Sequence, residues 1–164
     1  MNFESILPMS FFRWCEGTAL AQMIQHSRWA FAIIETLHIM ALAVLLGTFV
    51  IVDLRLLGHG LRQDAVADLA RQFGPWSWLS LGVMIVTGIP MYFSEAIRLA
   101  SSSPFFYKML FLMLAVGFHL TIHRKATSSV AAPTPSLAKL AASLSLACWL
   151  AVALAGRAIA FLSK

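Results

Sequence analysis

Charge is what this sequence has least of. Only 12% of its 164 residues are Asp, Glu, Lys or Arg, against 60% hydrophobic, and the mean hydropathy is +0.81. A soluble globular domain carries about 25% charged residues, so that class is excluded. Cysteine is nearly absent: Cys15 and Cys148 lie in unrelated segments, make no metal-ligand spacing and read as packing residues. No nucleophile stands beside a base and no phosphate-binding loop is visible, which argues against an enzyme acting on its own. The segment before Ser27 lacks the basic n-region and unbroken apolar core of a cleavable signal peptide. A net charge of +5 and a pI of about 9.8 would suit nucleic acid. The basic residues are instead scattered between apolar runs, so no nucleic-acid partner is expected and they read as loop anchors and lipid-headgroup contacts.

What is present is apolar length. A membrane helix needs about 20 mostly apolar residues, and four runs meet that need: about 27–57, 75–100, 104–125 and 136–162. They predict an all-α integral membrane four-helix up-down bundle, with 1–26 as an N-terminal interfacial amphipathic segment and 27–164 as the transmembrane domain. In the first part Phe11, Phe12, Trp14, Leu20, Met23 and Ile24 are interleaved with Arg13, Glu16, Gln22 and Gln25, the pattern of a helix lying at an interface. Ser27 is placed to cap the first span, and Gly58-His59-Gly60 to stop it. Gln63 to Phe73 reads as a surface connector, with Asp68 and Arg71 as a pair.

Glu35 and His38 sit inside the first span. Insertion scales charge about 2.5–3.5 kcal/mol for an Asp, Lys or Arg in the hydrocarbon, so such groups normally face the bundle interior and have a partner. In the second span Pro90 predicts a kink, and Ser80, Thr87, Met91, Ser94 and Arg98 form a polar seam expected to face inward. In the third, Lys108, His119 and His123 share a face. In the fourth, Ser143, Ala147, Ala151 and Ala155 form a ladder of small residues suited to close packing, and Arg157 lies near its end. Counted at 1.5 Å per residue from one membrane face, Glu35, Glu95, Arg98, Lys108 and Arg157 fall within roughly 15 Å of it. The same count sets His38 about 16 Å and His119 about 22 Å deep, close enough to oppose each other across the bundle.

The phrases IETLHIMALAVLLGTFVIVDLRLLG, FSEAIRL, KMLFLMLAVGFH and AGRAIAF resemble an uncharacterised bacterial family of small four-helix membrane proteins of unknown function, over nearly the whole chain from Ser27 to Phe161. More loosely, the layout is similar to the copper-resistance D proteins and to four-helix b-type cytochromes, whose paired histidines on facing helices are axial ligands. That likeness touches only His38 and His119, and it lacks the second histidine pair of the diheme cytochromes.

The expectation is therefore a membrane b-type cytochrome-like electron-transfer protein. His38 and His119 would ligate one heme b between the first and third helices. Arg98, Lys108 and Arg157 would meet its propionates, and Glu35 would orient His38 or neutralise Arg157. Two alternatives stand beside it. In one, the polar groups fix helix register in a cofactor-free accessory or structural subunit, through pairs such as Glu35 with Arg157 and Glu95 with Lys108. In the other, copper or a small solute passes by way of His119, His123 and the methionines. The lipid bilayer is the expected partner, with another membrane or redox protein and an oligomer as further expectations. The expected location is the bacterial inner membrane. Discounting Arg157 as buried tips the basic residues toward cytoplasmic connectors after spans one and three, with both termini outside.

Overall fold

The structure, a computed structural model, describes residues 3–59, 66–119 and 135–162. These are almost entirely helical, without a strand among the described residues. After a short 3-10 turn at Phe3–Ser5 come α1 (Met9–Glu16), α2 (Ala19–His26), α3 (Ala30–Leu56), α4 (Val66–Ser94), α5 (Ala96–Ser101), α6 (Ser103–Phe118) and α7 (Pro135–Leu162). Three of them, α3, α4 and α7, are long and apolar enough to cross a membrane. α6 is apolar but shorter. His123 and the connector 120–134 lie outside the described residues.

α3 packs against α4 and α7, and α6 against α7, while α1 and α2 lie against α5 and the end of α4. The central core joins Ala41, Leu45, Phe49, Met84, Ala115, Trp149 and Val152, drawn from all four long helices. Outward positions such as Met40, Val86, Met113 and Leu154 are large, apolar and exposed, the reverse of a water-facing surface and the arrangement a lipid solvent favours.

The cap position of α3 falls on Trp29, two residues later than expected, but the Ser27 hydroxyl still accepts from Ala30 N–H at 3.2 Å where the helix begins. The second span differs from its prediction. Gly74-Pro75 does not open it: the helix begins at Val66 and runs through both Pro75 and Pro90. The Asp68–Arg71 pair is present, at 3.3 Å, in its first turns. The break falls beyond Pro90, at Glu95, whose extended φ of −134° separates α4 from α5. Two side chains brace it. Glu16 Oε1 accepts from Ile97 N–H at 2.8 Å, and Gln25 Nε2 donates to the Ser94 carbonyl at 2.8 Å. These satisfy a donor and an acceptor that a helix terminus leaves open.

The ladder expected on α7 is not its main packing face. Ser143 and Ala147 are exposed, Ala151 and Ala155 only half-buried, and α7 turns Ala142, Ser145, Trp149 and Val152 inward. Burying one large indole outweighs close approach through alanines. Arg157 is likewise exposed, so the basic residues on the two sides balance and the ground for orienting the chain is removed.

Phe12 is fully buried against Cys15, Ala96 and Ala100 and anchors α1 to α5. Phe12→Ala is expected to cost about 3–5 kcal/mol of that docking. Limited proteolysis in detergent checks it: cleavage within residues 3–26 should accelerate sharply, with α3 to α7 still protected.

Candidate functional site

His38 is half-buried on the inner side of α3, and its Nδ1 lies 2.9 Å from Thr87 Oγ1 on α4. The proton on this bond can be assigned. Thr87 has one hydroxyl hydrogen, and it goes to the Val83 carbonyl at 2.7 Å, one turn back. Thr87 Oγ1 therefore accepts, and Nδ1–H donates. The Met84 carbonyl also reaches the ring. With its own hydrogen directed to Val83, Thr87 favours the Nδ1–H tautomer, in which Nε2 presents a lone pair. An acceptor held against one ring nitrogen is how proteins prepare a histidine to bind through the other. Gly88 lies against the ring: a Cβ there would meet His38 Cε1 at 3.4 Å, an ordinary van der Waals contact.

Lys108 comes to the same level. Its stem lies along α7 at Gly156, where a Cβ would sit 3.7 Å from Cε, and its ammonium is close enough to His38 to interact coulombically. The expected Glu95–Lys108 pair is not formed. Glu95 pairs with Arg98 one turn on, in a half-exposed contact of the kind that contributes little stability. Among the described residues, Lys108 has no carboxylate within ion-pair distance.

Glu35 does not orient His38, because Thr87 does. It is exposed, and its charge reaches Glu95, as does that of Glu16. Burial holds the Glu95 carboxyl above the usual carboxylate range against the opposing pull of Arg98, and the two neighbouring carboxylates push the same way. The polar seam is interior for Ser80, Thr87 and Ser94, while Arg98 leaves it for the surface.

His119 is elsewhere. Its ring packs on Phe49, centroids 4.4 Å apart, and Phe49 stacks on Trp149 at 4.8 Å. The register explains the separation: α3 and α6 run the same way, setting 108 beside 38 and 119 beside 49, so both steps are 11 residues. Eleven residues of helix are about 16 Å. One metal ion needs each imidazole nitrogen within about 2 Å, so His38 and His119 do not fit the two faces of a single heme. His119 instead lines a cleft with Ser77, Trp78, Phe49 and Trp149. The cleft has room for about 10 Å³, the space of a single water molecule and not of a cofactor. No group of three or more metal-ligating side chains occurs among the described residues.

The helices and the site define an all-helical protein of membrane type with a polar level near one end of its apolar interior. The chain belongs to a family of unknown function, DUF6644, which matches residues 11–162. No curated protein and no solved structure matches it.

The His38–Thr87 bond is testable by paired substitution. Thr87→Val leaves the ring donor unmet and is expected to lower stability by about 1–2 kcal/mol, while Thr87→Ser, which keeps the acceptor, costs less than half of that. Thermal unfolding in one detergent compares the two.

Proposed function

We propose that this is a bacterial inner-membrane protein in which α3, α4, α6 and α7 cross the bilayer as an up-down bundle, and that it holds one heme b through His38 for electron transfer. The observation that carries the reading is the 2.9 Å contact of His38 Nδ1 with Thr87, which favours a tautomer whose Nε2 can bind a ligand, beside a cation that has no carboxylate among the described residues. α6 joins the bundle in this reading because it packs along α7 and keeps register with α3.

Heme, when bound, supplies a one-electron couple at its iron. The protein's own contributions are separate. Thr87 holds the imidazole in the ligating tautomer and limits its rotation. Lys108 supplies the positive charge an acidic substituent needs in a medium of low dielectric, and Arg98 stands half-exposed at the rim where a second one would emerge. His119 is not in this set, and neither is Arg157.

One observation favours the cofactor-free accessory subunit. Ala41, Leu45, Met84 and Val152 close the interior just deeper than His38, so His38 and Lys108 can serve helix register alone.

A reduced-minus-oxidised absorption spectrum of protein made in heme-supplied cells separates the two. The heme reading expects a sharp alpha band and a Soret band, both lost in His38→Ala and kept in His119→Ala. A featureless spectrum after heme reconstitution, or a normal one in His38→Ala, overturns it.

A further inference from the structure

α1 and α2 carry the same three-faced pattern nine residues apart. In α1, Phe12 and Cys15 are fully buried against the protein, and in α2 so are Ala21 and Ile24. One position before each lies a large apolar side chain left exposed: Phe11 and Trp14, then Leu20 and Met23. One position after each lies a polar side chain: Arg13 and Glu16, then Gln22 and Gln25. At 100° per residue these are three adjoining stripes on each helix. A two-faced helix needs only a core and water. A third, apolar and unburied face at matching positions on both helices calls for a third medium.

We infer that α1 and α2 lie flat in the interfacial layer of the bilayer, with Phe11, Trp14, Leu20 and Met23 inserted among the lipid headgroups and upper acyl chains. The inference rests on the membrane-spanning reading of α3 and α4. Three residues, Ser27 to Trp29, separate α2 from α3, so α2 ends at the level where that span begins. Exposed Trp29 marks the same level, where amphipathic rings collect. Arg13 and Arg28 are exposed beside the apolar stripe and can reach phosphate.

The polar stripe does a second job at that depth. Its equivalent members Glu16 and Gln25 are the two side chains that brace the α4–α5 break at Ile97 N–H and the Ser94 carbonyl. The anchor therefore holds the break that carries Glu95 and Arg98, and so positions the rim above His38 and Lys108. A second copy of this chain or another protein covering the same stripe is the competing occupant, and the test separates it.

The full chain with Cys148→Ala is labelled with an environment-sensitive fluorophore at Met23→Cys, Gln22→Cys or Val86→Cys and reconstituted into phosphatidylcholine–phosphatidylglycerol vesicles. Cys15 is fully buried and stays unlabelled. The expected result is a blue-shifted label at 23, quenched severalfold more by headgroup-level nitroxide lipid than the label at 22, while aqueous iodide quenches 22. The label at 86, on the exposed middle of α4, should respond to deep nitroxide. A label at 23 that is water-exposed, or blue-shifted yet untouched by lipid nitroxide, overturns the anchor while 86 still reports lipid. Failure at 86 as well overturns the spanning reading beneath it. Intrinsic Trp14 fluorescence in a variant with the other four tryptophans as Phe gives the same depth readout without a label.

Discussion

Inside a bilayer no water is available to satisfy a polar side chain, so each must be answered by the protein itself. That constraint is met here chiefly along one seam, between α3 and α4. His38 donates to Thr87, and Thr48 and Ser77 share a hydrogen bond at 2.8 Å. The two pairs lie on one antiparallel register, since 38 and 87 sum to the same number as 48 and 77. Slipping α3 by a residue would break both bonds at once, whereas the apolar contacts between them would re-form with a modest loss. The polar pairs thus select the register, and the large buried side chains supply most of the attraction.

The same register decides what each histidine does. With α3 fixed against α4 and α7, the parallel α6 brings Lys108 to His38 and His119 to Phe49. The packed helices have two polar levels with an apolar layer of Ala41, Leu45, Met84 and Val152 between them. At one level a histidine is aimed by a hydroxyl and accompanied by a cation. At the other a histidine is stacked in an aromatic column. A single ligand cannot bridge the two, and the level with the oriented imidazole is the one with chemistry to offer.

Much of this was legible in the sequence. Three helices long and apolar enough to span, the Ser27 hydroxyl bond at the start of α3, the Asp68–Arg71 pair and the inward seam of Ser80, Thr87 and Ser94 all follow from composition, hydrogen-bonding chemistry and helical period. Three features did not. The seam pointed at α4, but nothing local indicates that Thr87 rather than Glu35 would take His38, because that choice is made by the register of two helices. Depth counting failed for His119, since a few residues of error at each helix start add to the true offset between α3 and α6. The α7 ladder was read from small residues alone, while Trp149, two residues beyond Ala147, claimed the inward face by its size. The tripartite pattern of α1 and α2 was half visible: interleaving showed amphipathicity, but only burial distinguishes Phe12 and Cys15, which face protein, from Phe11 and Trp14, which do not.

The state of one imidazole tests the central claim most directly. Nitrogen-15 solid-state NMR of histidine-labelled protein in bilayers, with His38 assigned by comparison with His38→Gln, reads which ring nitrogen carries the proton. A protonated Nδ1 in a hydrogen bond, with an unprotonated Nε2 whose resonance shifts when heme is added, is the predicted result. A His38 protonated at Nε2, or one indifferent to Thr87→Val, would contradict both the assignment of the Thr87 bond and the ligand site built on it.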